Sequence, residues 1–312
     1  MYLFYRGETF DSNFYYHSGM DIDHGFLLMG KTKILFVPEL NASFAKANFR
    51  GRVIVYKDPF AELSKFIKGK IIFADFSSLN ARMVEKLRKY CRLKDCTMEI
   101  LQKRSVKRKD EVAKIKKAVK LTKEILHSLD LSVKTEVDLE KQIKMKTAEL
   151  GLEPAFDPIV ATDSSTAFPH YKARRKKLGS IVMIDYGVRY GHYCSDLTRC
   201  FLVNPTKKQK EEYEKLQDIC HSIIDELPGL KYGSDVAKFA EKQIKKAGFP
   251  HLIHSIGHGV GLDVHELPSL GLKSKDKIAG ATMAIEPAFY YRKYGMRFEE
   301  TVYHDGKKAT IL

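Results

Sequence analysis

Residues 181–203, IVMIDYGVRYGHYCSDLTRCFLV, constrain this chain more than any other stretch. Two β-rich runs flank the turn-like GVRYG, the signature of a hairpin, and each run carries an acid, Asp185 among apolar neighbours. With the turn centred on Tyr190-Gly191, Asp185 lies opposite Asp196 on one face of the sheet. Opposed side chains have Cβ atoms about 4.5–5.5 Å apart, and like charges there are destabilising. Burial penalises the charge further. Such a pair needs a shared proton or a cation between its members, unless both acids merely edge a solvated strand.

Two later segments favour the cation. HSIGHGVGLDVHE (254–266) holds three His and three Gly in thirteen residues. The spacing of His254 and His258 suits a helical zinc motif, but Gly257, Gly259 and Gly261 argue against a helix. A tight glycine-rich turn carrying His258, followed by a strand presenting His265, fits better. In TMAIEPAFYYRKYGMRFEETVYH (282–304), two strands flanking RKYG place Glu286 and Glu299 on neighbouring strands in apolar surroundings. Two Asp, two Glu and one imidazole form a hard, oxygen-dominated donor set suited to Mn, Co, Fe or Zn. Such a set can hold two divalent ions about 3.5–4 Å apart, the arrangement used in metal-assisted hydrolysis.

Length leaves room for two domains in 312 residues. In the first hundred, the runs at 26–29, 33–38, 52–56 and 70–75 read as strands and those at 60–68 and 79–91 as helices, a small α/β domain. After the basic QKRSVKRK (102–109), Asp110 is placed to cap a helix, so the boundary falls near residue 104. Beyond it a plan recurs. Helical stretches at 111–130 and 136–150 precede PAFDPIVAT and SIVMIDYG, and helical stretches at 206–227 and 234–247 precede HLIHSIGHGVG and TMAIEPAFYY. Two such halves predict an α+β domain with pseudo-two-fold architecture over 105–312.

Lys and Arg outnumber Asp and Glu by 54 to 39, a net charge of +15. That excess invites nucleic acid through counterion release, but QKRSVKRK and KARRKK (172–177) lack interleaved aromatics and read as solvated edges of the site. No specific nucleic-acid partner is expected. No run reaches the roughly 18 apolar residues of a membrane span, and no signal peptide is visible. Five cysteines without close CxxC pairs point to a reducing, cytoplasmic setting.

Taken together, these motifs resemble the pita-bread metallopeptidases, which include methionine aminopeptidase, Xaa-Pro aminopeptidase and prolidase. The resemblance covers roughly residues 105–312. It implies that Asp185 (in IDYG), Asp196 (in SDLTR), His258 (in GHGVG), Glu286 (in IEP) and Glu299 (in RFEET) ligate two divalent metal ions, Mn or Co first, with Zn or Fe as further options. Glu300 stands where an Asp is usual, and EPA replaces EPG. His170 in AFPHY resembles the His that contacts the scissile amide, and His265 in DVHE the His that hydrogen-bonds the substrate carbonyl. His254 resembles a His lining the substrate pocket. Glu286 is implied as the proton acceptor and donor.

DSNFYYHSGMD (11–21) is similar to the start of a creatinase-type N-domain, which Xaa-Pro aminopeptidases and prolidases carry and methionine aminopeptidases lack. The implied activity is hydrolysis of the bond between an N-terminal residue and a following proline. A homodimer is common among such proteins. Some prolidases carry an Arg shortly after the HE dipeptide, where Ser269 stands here; either another cation such as Arg292 serves instead, or longer peptides are accepted. The rivals are methionine aminopeptidase, a metal-free creatinase-like hydrolase, and a metal-free peptide-, protein- or RNA-binding protein on the same fold.

Overall fold

Strands β1 (Tyr2–Arg6), β2 (Gly25–Met29), β3 (Lys33–Pro38), β4 (Arg52–Tyr56), β5 (Ile71–Ala74) and β6 (Arg92–Asp95) form one sheet in the order β4-β3-β2-β1-β5-β6. The computed structural model describes residues 1–312, which divide into two units, Met1–Arg104 and Ser105–Leu312. In the first unit both faces of the sheet are covered. Leu3, Phe26, Phe36 and Ile72 pack with Leu63 and Ile67 of α3 (Pro59–Ile67) and Leu87 of α4 (Ala81–Arg88). On the other face, Phe4, Leu27 and Leu35 meet Phe14 of α1 (Ser12–Ser18), Ala45 of α2 (Ala42–Asn48) and Ile100 of α5 (Thr97–Ser105). Burial on both sides explains why β2 and β3 read as unbroken apolar runs.

In the second unit the recurring plan becomes geometry. Helices α6 (Lys109–His127) and α7 (Glu136–Glu149) precede an antiparallel sheet in which β9 (Ile181–Tyr186) lies between β8 (Ile159–Thr162) and β12 (Leu197–Leu202). The small hairpin strands β10 (Val188–Tyr190) and β11 (Tyr193–Cys194) fall between β9 and β12, and the two-residue β7 (Glu153–Pro154) pairs with β10. Helices α8 (Lys207–Glu226) and α9 (Gly233–Lys246) precede a sheet in which β15 (Thr282–Ile285) lies between β13 (Gly257–Gly259) and β18 (Glu300–His304). There the intervening hairpin is β16 (Ala288–Tyr290) and β17 (Gly295–Arg297), while β14 (Glu266–Ser269) and β19 (Ala309–Ile311) flank the sheet. Helices α8 and α9 bury Leu216, Ile223, Val236 and Ile244 with Met283 and Phe289 beneath the second sheet.

Four local expectations are corrected. The first hairpin turns at Gly191-His192, both at positive φ (54° and 70°), as a two-residue turn compatible with strand twist requires. Asp185 therefore pairs with Thr198 rather than Asp196, and the two acids sit diagonally. His258 is on a strand, and His265 is in the turn before β14. Helix α6 starts after Arg108, whose backbone N–H donates to Glu111 (2.6 Å), so Asp110 lies in the first turn instead of capping it. Finally, Arg104 and Lys107 of the basic stretch are buried.

Candidate metal centre and catalytic cavity

A cavity of about 430 Å³ is lined by His170, Asp185, Asp196, His254, His258, His265, Glu286 and Glu299, all eight residues singled out from the sequence. Asp185 is the fifth residue of β9, Asp196 immediately precedes β12, Glu286 follows β15, and Glu299 precedes β18. Each half thus places one acid at the entry to its small hairpin and one at the exit. The halves meet here: the Glu299 N–H donates to the Thr198 carbonyl (3.3 Å) and the Thr301 hydroxyl to the Asp196 carbonyl (2.7 Å). Glycines flank His258 because the neighbouring strands run against it; a Cβ on Gly257 or Gly259 would overlap the carbonyl oxygens of Ala284 and Leu267.

The electrostatics call for a shared proton or a cation among these acids. Oxygens of Asp185, Asp196 and Glu299 lie within 4.8 Å of one another. Two unit charges about 4 Å apart cost about 4 kcal/mol at an effective dielectric of about 20. Burial, then Glu299 and Asp185, hold the Asp196 carboxyl far above the ordinary carboxylate range, and burial, then Asp185 and Glu286, do the same for Glu299. Glu286 is pushed up to about 7, chiefly by burial. Asp185 Oδ1 is buried with no hydrogen-bond partner. An orphaned carboxylate oxygen beside mutually repelling acids is what a divalent ion would satisfy.

The imidazole is set for the same purpose. His258 Nδ1 donates to the Gly259 carbonyl (3.0 Å), which leaves Nε2 as the free lone pair, 3.5 Å from Asp196 Oδ2. Burial, then His265, lowers His258 to about 4, so the ring is neutral near pH 7. The His265 ring lies 4.1 Å from the His258 ring, centroid to centroid. His254 Nδ1 donates to Ser255 O (2.7 Å), and its Nε2 accepts from the Tyr290 hydroxyl (3.0 Å). His170 is exposed at the cavity edge. The segments around it are pegged by the buried Glu136, which accepts from Thr162 N, Tyr171 Oη and Arg174 N, each at 3.0 Å. Glu300 turns away to Arg199 and Lys123, leaving the cluster to its neighbour Glu299.

Arg297 was not singled out in the sequence. It donates to Asp185 Oδ2 (2.6 Å), Thr198 Oγ1 (2.9 Å) and Tyr290 Oη (3.0 Å), and Thr198 Oγ1 donates to Glu299 Oε2 (2.7 Å). One guanidinium thus orients two of the acids and, through Tyr290, His254. Its sequence signal was a cation inside the apolar run GMRF, which demanded a buried anion.

The profile of metallopeptidase family M24 matches residues 113–305, and the chain belongs to that family. The chain is 32% identical over 307 residues to the Xaa-Pro dipeptidase of Pyrococcus furiosus, covering 93% of this chain and 87% of that one. The prolidase structure from Pyrococcus horikoshii OT3 superposes with a TM-score of 0.89 at 29% identity, over 99% of this chain and 92% of that chain. The X-Pro aminopeptidase structure from Thermotoga maritima reaches the same TM-score, 0.89, at 24% identity, over 99% and 94% of the two chains, a likeness of fold. Both units of the chain therefore have counterparts: the fold is a pita-bread domain preceded by an N-terminal domain.

Proposed function

We propose that Asp185, Asp196, His258, Glu286 and Glu299 hold two divalent ions, with Mn or Co preferred, and that the cavity around them hydrolyses the bond between an N-terminal residue and a following proline. The protein is a metal-dependent exopeptidase of the Xaa-Pro type. The observation that carries the reading is the convergence of four acids, two buried and two half-buried, and one neutral imidazole, with Asp185 Oδ1 orphaned, in a member of a metallopeptidase family. Residues 1–104 are read as the creatinase-type N-terminal domain and 105–312 as the catalytic domain.

Bound divalent ions supply Lewis acidity, which brings the pKa of water into the neutral range. Glu286, on the cavity wall among the other acids, is placed to accept a proton on a carboxylate oxygen and return it to the leaving nitrogen. His265 orients the substrate carbonyl, and His170 contacts the scissile amide and the leaving group. His254, fixed by Tyr290 and Ser255, lines the substrate pocket. Phe156, Ile159 and Val264 give the cavity an apolar wall against which a proline ring can pack. An Xaa-Pro bond has no N–H to recognise, so selection rests on shape.

The five free, buried cysteines support a reducing cytoplasmic setting, and a homodimer is read from the resemblance. No helix is long and apolar enough to cross a membrane. The test is an assay with added Mn or Co on an Xaa-Pro dipeptide, an Xaa-Pro-Xaa tripeptide and a Met-Ala-Xaa tripeptide. Cleavage of the first two is expected. Cleavage of the Met peptide alone would replace this reading with methionine aminopeptidase, and a chain that never retains divalent metal would replace it with a binding role.

A further inference from the structure

The basic stretch 102–109 holds a cation that neither solvent nor nucleic acid explains. Lys107 Nζ lies 2.7 Å from Glu266 Oε1, with side-chain exposures of only 1% and 2%. The ammonium also donates to Ser105 O (3.1 Å), and the Lys107 backbone N–H donates to Gly280 O (2.8 Å), two residues before β15. Lys107 is thus fastened to the second sheet at both its backbone and its side chain, although it lies before residues 113–305, where the family profile matches.

Its partner adjoins His265. The Glu266 carboxylate occupies the space a Cβ on Gly261 would need, and Glu266 Oε2 accepts from the Asp263 N–H (3.4 Å). Gly261 N in turn donates to Asp263 O (2.9 Å), Cys194 N donates to Gly261 O (2.7 Å), and Gly259 pairs with Glu266 across β13 and β14. The 261–265 turn is therefore wound around one carboxylate, which pairs with the Lys107 ammonium. His265 leaves this turn directly onto the His258 ring.

We infer that Lys107 is a positioning residue for the reaction: through Glu266 it fixes the 261–265 turn, and so the place of the His265 imidazole in the catalytic cavity. The inference rests on the functional reading above for the role of His265, but the geometry it asserts is independent of substrate. Removing one partner of a buried ion pair is strongly destabilising, whereas replacing both with apolar side chains of like volume is often tolerated. The informative variants are therefore Lys107→Met and the double variant Lys107→Met/Glu266→Met.

The experiment uses the full chain loaded with Mn and an Xaa-Pro-Xaa tripeptide. A displacement of about 1 Å costs about 100-fold in rate, so kcat should fall by about that factor in both variants. KM should change less than about threefold, and the double variant should recover the wild-type melting temperature. In a His265→Ala background, Lys107→Met should cost less than about threefold more, because the two act through one imidazole. Equal falls in both backgrounds, or wild-type kcat in the double variant, would overturn the inference and leave the pair a fold element only. Spectra of chain labelled with 15N-histidine provide a reading that needs no turnover: the His265 ring signals should move in Lys107→Met and in the double variant, and unmoved signals overturn the inference. Failure of the wild-type chain to cleave any Xaa-Pro peptide would count against the functional reading alone, with the spectra still deciding the role of Lys107.

Discussion

Stripping the metal and raising the pH should weaken this protein, and the structure says by how much and where. Glu286 is pushed from an ordinary 4.5 to about 7. A carboxyl raised on folding makes the folded state hold its proton more tightly than the unfolded chain does. Its stabilising contribution is therefore complete below about pH 4.5 and is lost as the pH rises through about 7. At about 1.4 kcal/mol per tenfold in proton affinity, the full loss is about 3 kcal/mol.

Three histidines work in the opposite direction. His254 and His258 are lowered to about 4 and His265 is lowered too, all mainly by burial, so they add stability as the pH rises from about 4 and finish only about one unit above the ordinary 6.5. From about pH 6.5 to 8 the histidines still add about 0.4 kcal/mol each, but they do so with metal or without it, so the gap between loaded and stripped protein isolates the acids. Glu286 alone widens that gap by about 1 kcal/mol, about 2–4 °C in Tm for a unit of this size. Asp196 and Glu299, raised further by burial and by their neighbouring acids, add in the same direction. Ions bind the deprotonated acids and release protons, so occupancy should reverse the slope. The assay is calorimetry of chelator-stripped, dialysed protein against Mn-loaded protein at half-unit steps across this interval. A gap between the two forms that stays constant or narrows from 6.5 to 8 would refute the reasoning.

Replacing Asp196 with Asn should abolish peptidase activity while raising the stripped protein's Tm at pH 8, because one of the mutually repelling charges is gone; a lower Tm would mean the acids do not oppose one another. Arg297→Met deprives Asp185, Tyr290 and Thr198 of a common donor, and metal affinity measured by competition with a chelating dye should fall about 10–100-fold. Gly187→Ala drives a Cβ into the Ser195 carbonyl oxygen and should cost at least about 1–3 kcal/mol in denaturant melts, with activity lost because Asp185 and Asp196 flank that contact.

The acids were legible because a carboxylate inside an apolar strand is costly enough to require a reason. Asp185 stands out on that ground, Glu286 and Glu299 by their apolar surroundings and Asp196 by its place across the hairpin from Asp185, and the halves stand out because helix pairs and strands repeat in one order. What escaped notice depended on long-range partners. The diagonal placement of Asp185 and Asp196 turns on two positive φ values at Gly191-His192, and His192 gave no sign of adopting one. Strand β1 begins at the second residue, and α1 is only seven residues long, too short for periodicity to register. Lys107 and Arg104 lay hidden in a stretch whose other cations are solvated, and only their partners, 159 and 91 positions along the chain, Glu266 and Asn13, show that they are buried.

The placement of the four acids at corresponding corners of the two halves has a mechanical consequence. Their repulsion acts across the seam where Glu299 N meets Thr198 O and Thr301 Oγ1 meets Asp196 O. The cluster would therefore serve as a clasp as well as a reaction centre: charged and empty it would push the halves apart, and cations held between them would draw them together. Neither half contains a complete site, so the chemistry is switched on only in a molecule whose two halves have docked. Amide exchange at Glu299, on the seam itself, would register the clasp opening and closing.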